Sequence, residues 1–252
     1  HEFVNPFTRT QVIALDGVDL EVQEGEFLTV VGRSGCGKTT LLNILAGLLQ
    51  PTRGTVLLDG RPVTGPGPDR GVVFQEFAIM PWRTVERNIA HGLEIQGVPK
   101  MERAATVRRF VELVGLQGFE QKYPHELSGG MKQRVALART LAADPQVMLM
   151  DEPFAAVDAQ TRITLQEELI TIALATRKTI LFVTHNVEEA VFLGDRCCVL
   201  AARPGRVKAL VPVAIPRERR TWKQMLSDET FSAAKEHVFG LVREEVGVES
   251  EV

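Results

Sequence analysis

Between an apolar run and a leucine-rich stretch the chain reads GRSGCGKTT, in which Gly32, Gly37, Lys38 and Thr39 fit the spacing G-x-x-x-x-G-K-[ST]. Glycines at this spacing let backbone N–H groups turn inward, and the start of the following helix adds the positive end of its dipole. Both favour phosphate oxygens. Lys38 supplies a mobile cation, and Thr39 a hydroxyl suited to Mg2+. The loop Gly32, Arg33, Ser34, Gly35, Cys36 and Gly37, continued by Lys38, Thr39 and Thr40, is therefore expected to hold the phosphates of a nucleotide. A tight glycine turn joining strand to helix is the plainer alternative, disfavoured because the full pattern is in register with strand before and helix after. Cys36 reads as a small side chain beside the nucleotide rather than as a reactive thiol.

Two further segments carry polar groups of the right kind. VMLMDEP is an apolar run ending in Asp151 and Glu152, which puts two carboxylates at the carboxyl end of a strand, where open α/β sheets bind ligands. Asp151 is expected to hold Mg2+ through water, and Glu152 to orient or deprotonate an attacking water. HELSGGMKQRVALARTLAADP sets Ser128, Gly129 and Gly130 immediately before a helical pattern, offering free N–H groups and a hydroxyl to an anion. Alone, this segment could equally be a Ser-capped helix.

Elements must position these groups. Short Val-, Ile- and Leu-rich runs at 27–31, 71–74, 147–150 and 179–183 alternate with helical patterns, which predicts a mostly parallel sheet covered by helices. VIALDGVDLEVQEG alternates apolar and polar residues and predicts an antiparallel strand pair, and GTVLLDGRPV predicts a hairpin turning at Asp59-Gly60. Residues 82–145 turn helical, with Ala105, Val107, Phe110, Val111 and Val114 at helical spacing, and read as an insertion in the α/β core. From Arg217 the composition becomes charged, and Phe231, Ala234, Val238, Leu241 and Val242 predict a terminal amphipathic helix capped by Ser227 or Asp228.

The 252 residues are 44% hydrophobic and 24% charged, enough for a sizeable core. A net charge of −3 argues against nucleic acid as a general partner. The three cysteines, Cys36, Cys197 and Cys198, have the spacing of neither a metal knuckle nor a disulfide framework, and suit a reducing compartment. Apolar runs stay short of the roughly 20 residues of a membrane span, and the N-terminus lacks a signal pattern. No internal repeat is visible.

With the phosphate loop and Ser128-Gly129-Gly130 in one chain, residues 12–205 resemble the ATP-binding cassette family. The resemblance implies an α/β P-loop fold: a mostly parallel core, an antiparallel β subdomain and a helical subdomain carrying the signature. The implied boundaries are residues 1–216 for the nucleotide-binding domain, with about 82–145 as the inserted helical part, and 217–252 for a helical tail. In the family the signature contacts the γ-phosphate of ATP held by the other subunit of a head-to-tail dimer. Met131 stands where Gln is frequent. Gln75 matches the glutamine that reaches Mg2+ and the attacking water, Asp158 the interface-crossing loop (with Val157 at a usual Leu position), and His185 the histidine that contacts the γ-phosphate. An upstream aromatic stacks on adenine in the family, which points to Phe7 ahead of Phe3. ATP and Mg2+ are the implied cofactors.

GPGPDRG, MPWR at 80–83 and DEPFAAVDAQTR look like the nitrate, taurine, aliphatic sulfonate and bicarbonate import group. This implies the ATP-hydrolysing subunit of a bacterial importer, peripheral on the cytoplasmic face of the inner membrane. Its partners would be integral-membrane permease subunits, a second copy or homologous cassette and, indirectly, an external solute-binding protein. Phe77, Ile79, Met80 and Trp82, beside Arg83 and Arg87, form an apolar cluster suited to a permease helix. The alternatives are an exporter or lipid-traffic ATPase and a weakly hydrolysing, nucleotide-gated partner subunit.

Overall fold

A computed structural model of the chain describes residues 1–4 and 9–247. Its contacts divide into two compact units, one formed by His1–Gly67 with Thr179–Val252 and the other by Pro68–Lys178.

The first unit begins with β1 (Glu2–Val4), β2 (Gln11–Ile13), β3 (Phe27–Val31), α1 (Lys38–Leu45), β4 (Leu57–Leu58) and β5 (Arg61–Pro62). β4 and β5 form the expected hairpin. Asp59 and Gly60 both have positive φ, 48° and 73°, which a two-residue turn between right-twisted strands requires. The alternation in residues 12–25 has a different outcome. Only Gln11–Ile13 forms a strand, and its antiparallel partner is Glu2–Val4. Val18, Leu20 and Val22 are half-buried between exposed neighbours, so the alternation reports which side faces inward and not which segment pairs.

The second unit contains β6 (Arg70–Val73), α2 (Val85–Ile95), α3 (Lys100–Leu113), α4 (Gly129–Ala142), β7 (Val147–Asp151) and α5 (Ala159–Thr176). β6 and β7 run parallel, with Val73 opposite Met150. Val107, Phe110, Val111 and Val114 of the α3 region are buried as their spacing suggests, whereas Ala105 faces out. α4 packs against α2 and α3, and its buried stripe runs through Val135, Ala138, Leu141 and Ala142.

The chain then returns to the first unit as β8 (Thr179–Thr184), α6 (Val187–Leu193), β9 (Arg196–Ala201), β10 (Arg206–Pro212), α7 (Trp222–Met225) and α8 (Glu229–Gly247). Within this unit the strand order is β10-β9-β3-β8, with β3 parallel to both neighbours and β10 antiparallel to β9. Every residue of β3 and β8 is buried, the continuous apolar pattern of a parallel sheet covered on both faces. β9 and β10 do not follow from the sequence patterns above, although CCVLA and VKALVPV flank the turn residues ARPGR, a hairpin signal.

The C-terminal segment is bound into the first unit by a buried cation. Arg220 is 3% exposed; its Nε and Nη2 donate to Ile215 O at 3.0 and 2.6 Å, and Nη1 donates to Phe192 O and Gly194 O at 3.0 and 2.8 Å. Burial pushes its guanidinium down to about 10, against the pull of Asp195. Trp222 stacks on Phe192 with ring centres 4.2 Å apart, Asp228 caps α8 through Phe231 N, and Phe231 and Val238 are buried.

Cys197 and Cys198 lie buried in β9, where burial pushes their thiols up to about 11 and about 12. At pH 8 the thiolate fractions are then roughly 10⁻³ and 10⁻⁴. Iodoacetamide at pH 8 should leave both unmodified in the native chain and modify both in denaturant, as read by peptide mass spectrometry. Rapid native labelling of either would contradict their burial.

Candidate functional site

In the first unit β3 ends at Val31 and α1 starts at Lys38, so the glycine-rich loop spans the strand-to-helix turn. A Cβ on Gly32 would lie 2.7 Å from Cys36 Sγ and 2.8 Å from Leu200 O, so the loop is packed too closely for any larger residue. Gly35 and Gly37 have φ of 79° and 96°, and the Cβ direction of Gly35 meets nothing within 4 Å. The α1 N-cap is Gly37, which has no side chain to satisfy the first-turn N–H groups. Lys38 is 5% exposed, and its ammonium donates to Gly32 O at 2.8 Å and Arg33 O at 3.0 Å. Two neutral carbonyls hold that cation in place without cancelling its charge. A loop open at Gly35, leading into a helix start with no side-chain cap and followed by a held ammonium, fits a chain of phosphates.

Ser34, Gly35 and Thr39 are exposed and Arg33 and Thr40 half-buried, whereas the Cys36 thiol is fully buried under the loop. The Thr39 hydroxyl is a hard oxygen suited to Mg2+. Val31 of β3 lies opposite Thr184 of β8, so His185 leaves the sheet beside the first residue of the loop. His185 is exposed, and the following Asn186 caps α6 by accepting from Glu189 N at 3.1 Å. Phe7 lies outside the described residues; Phe3 is half-exposed in β1 opposite Val12.

In the second unit the register Val73–Met150 carries the chain out of β6 and β7 together, Gln75 lying two residues past one, with Asp151 ending the other and Glu152 next after it. Asp151 is buried. Glu152 is half-buried with φ 44°, a left-handed conformation that an ordinary L-residue adopts only at some cost and that recurs at functional sites. After it Ala155 N donates to Glu152 O at 3.0 Å, and Phe154 and Val157 are buried, tying down the turn that leads to Asp158.

Asp158 caps α5 by accepting from Thr161 N at 3.0 Å, and that N–H holds its carboxyl below the usual range. Ser128 caps α4 by accepting from Met131 N at 3.3 Å, so Gly129 and Gly130 form the helix's first turn rather than preceding it. A Cβ on Gly130 would come within 2.6 Å of Thr161 Cγ2, and one on Gly129 within 3.9 Å of Ala156 O. Ser128-Gly129-Gly130 and the turn at 155–158 thus share one face of this unit.

The family model described as "ABC transporter" matches residues 15–155, more than half of the chain. The chain belongs to the ABC transporter family. It is an ATPase of transport systems, as that family's ATP-binding proteins are. An ABC transporter ATP-binding protein of Methanocaldococcus jannaschii is 61% identical over 213 residues, 84% of this chain and 80% of its own length. The nitrate import ATP-binding protein of Synechocystis sp. is 46% identical, covering 94% and 88%. The taurine import ATP-binding protein of Roseobacter denitrificans is 52% identical, covering 78% and 73%. The dimeric post-hydrolysis state of the ATP-binding cassette MJ0796, bound to ADP and Pi, superposes with a TM-score of 0.74 at 30% identity over 85% of this chain and 97% of that one. The fold is that cassette fold, a sheet with a parallel core, antiparallel strands and a helical part.

In this ABC cassette the segment after Gln75 is held by two residues that the sequence did not single out. Asn88, fully buried in α2, accepts from Met80 N at 2.8 Å and donates to Met80 O, Arg83 O and Thr84 O. Arg139 of α4 donates to Ala78 O at 2.6 Å. Arg83 pairs with Glu94 at 2.6 Å. Phe77, Ile79 and Met80 are half-buried, whereas Trp82 stands 74% exposed on this pinned loop. The one available signal was an Asn within an otherwise apolar helix face. Among the described residues no helix is long and apolar enough to cross a membrane.

Proposed function

We propose that this ABC cassette is the ATP-hydrolysing subunit of an importer whose permease is a separate chain, working from the cytoplasmic face of the membrane as a pair with itself or a homologous cassette. Taurine or another sulfonate is the first solute class and nitrate or bicarbonate the next. The observation that carries the reading is Trp82, a large apolar side chain exposed on a loop immobilised by Asn88 and Arg139. A rigid, exposed aromatic is what an amphipathic permease helix would seat against. The nitrate and taurine relatives support import but differ in solute, so similarity alone does not choose between the classes.

In this reading the phosphate loop and Lys38 grip the phosphates of ATP, and Ser128 with the first N–H groups of α4 receives the γ-phosphate of ATP carried by the partner cassette. Phe7, outside the described residues, is the aromatic that the family resemblance assigns to adenine. Thr39, Gln75 and Asp151 are the residues that would hold Mg2+, which would offset charge on the phosphate oxygens. Glu152 takes the proton of the attacking water, and His185 and Lys38 stabilise charge on the transferred group. Asp158 steadies the turn that meets the other cassette. Closure of the pair draws the docked permease helices together, and hydrolysis resets them.

The test is ATP turnover of the chain copurified with its own permease, with the external binding protein supplied empty or loaded with taurine, an alkanesulfonate, nitrate or bicarbonate. Stimulation by one loaded form is expected and names the solute class; a rate indifferent to all of them would indicate export or lipid traffic. Trp82→Ala should weaken permease binding on the order of 30-fold, the loss of a single hot-spot aromatic. Unchanged affinity in a permease titration would remove Trp82 from the docking surface.

A further inference from the structure

The loop that bears His185 is tied together by more than its helix cap. Thr184, the last residue of β8, is buried, and its Oγ1 donates to Glu189 Oε2 at 2.5 Å while accepting from Asn186 N at 3.0 Å. Asn186 Oδ1 accepts in turn from Glu189 N at 3.1 Å. The residues on either side of His185 are thus joined in a closed ring of hydrogen bonds through the backbone and carboxyl of Glu189. His185, between them, is exposed.

Helix capping accounts for only one of these bonds. The Asn186 side chain caps α6 without calling on a carboxyl at position 189. Glu189 is nonetheless 5% exposed, at the head of a fully buried run, Ala190, Val191, Phe192 and Leu193. A carboxyl at that depth is costly to desolvate, and stability alone is often served as well by an apolar residue. Its effect is on direction. Thr184 lies opposite Val31, so whatever fixes the exit of the chain from β8 fixes where His185 stands relative to the phosphate loop.

We propose that Glu189 and Thr184 are positioning residues for His185, holding its turn in the one conformation that presents the imidazole to the γ-phosphate of ATP. This rests on the reading of His185 as a γ-phosphate contact. The ring takes no proton and touches no substrate. It removes alternative conformations of the turn, so its loss slows the chemical step more than it weakens nucleotide binding.

The experiment compares two backgrounds in the full chain assembled with its permease. Thr184→Val removes the hydroxyl from the ring at constant size and should lower kcat about tenfold while the affinity for ATP shifts by less than roughly twofold. Thr184→Ser restores a hydroxyl and should recover most of the rate. In the His185→Ala background, Thr184→Val should cost nothing further, because the group it positions is gone. An equal fractional loss in both backgrounds would overturn the proposal, since the ring would then support the fold generally, and so would a wild-type rate for Thr184→Val. Should His185→Ala itself turn over ATP at the wild-type rate, the γ-phosphate reading of His185 fails and takes the proposal with it, a result distinct from equal losses in the two backgrounds. If Thr184→Val is not recovered folded, Glu189→Met supports the same comparison.

Discussion

Glu152→Gln is expected to bind ATP as the parent does while releasing phosphate about 10³-fold more slowly, within the range lost with a general base. The carboxamide keeps the shape of the carboxylate, so the left-handed turn at Glu152 and the Ala155 bond to its carbonyl should persist. The amide oxygen is too weak a base to take a proton from water. ATP would therefore hold the pair of cassettes closed, and size-exclusion chromatography with ATP should show a dimer that the parent forms only transiently. A phosphate-release rate within roughly threefold of the parent would be far too small a loss for a general base and would move that role to another group. Retained ATP binding separates this outcome from a folding defect.

Replacing Arg220 should be the most damaging substitution remote from the nucleotide motifs. Arg220→Met keeps the aliphatic stem but strips the donors from the carbonyls of Phe192, Gly194 and Ile215, which lie in the interior. An unsatisfied buried acceptor costs about 1–3 kcal/mol, so the total should be about 3 kcal/mol or more. For a chain of this size that is a fall of roughly 10 °C in Tm by thermal denaturation. A shift of only one or two degrees would mean that the carbonyls find water, and that the C-terminal segment is attached mainly by Trp222 and Phe231.

The candidate nucleotide motifs were legible because each piece is local. Gly32 to Thr39 is one uninterrupted pattern, and Asp151-Glu152 ends one apolar run. The hairpin at Asp59-Gly60 and the buried face of α3 were read for the same reason, each being set by neighbours in the chain. The misses depend on distant partners. The alternation runs on through Val18, Leu20 and Val22, but nothing in it says that pairing stops at Ile13 or that Glu2–Val4 is the mate. β9 was passed over although it lies beside β3, because an apolar run does not announce its neighbour. Asn88, Arg139, Thr184, Glu189 and Arg220 are ordinary residues in sequence and acquire meaning only from the atoms that face them. His185 and Gln75 were read through family resemblance, since a single His or Gln at a strand end is otherwise unremarkable.

The discontinuity of the first unit has a consequence for how the protein is made. β3 leaves the ribosome early, yet its hydrogen-bonding partners on both sides are β8 and β9, and residues 68–178 must be translated before either exists. At typical elongation rates that interval is roughly ten to thirty seconds, during which five residues destined for burial have no ladder. The intervening unit emerges whole in the meantime. The phosphate loop waits longest, because its floor is Leu200 and its flank Gly205, whose backbone bonds to Ala14 and Asp16. A nascent chain halted before residue 200 carries every residue of the glycine-rich loop without the surface against which that loop folds. Nucleotide capture thereby becomes a sign that β8, β9 and the turn at Gly205 have been synthesised and assembled around the loop.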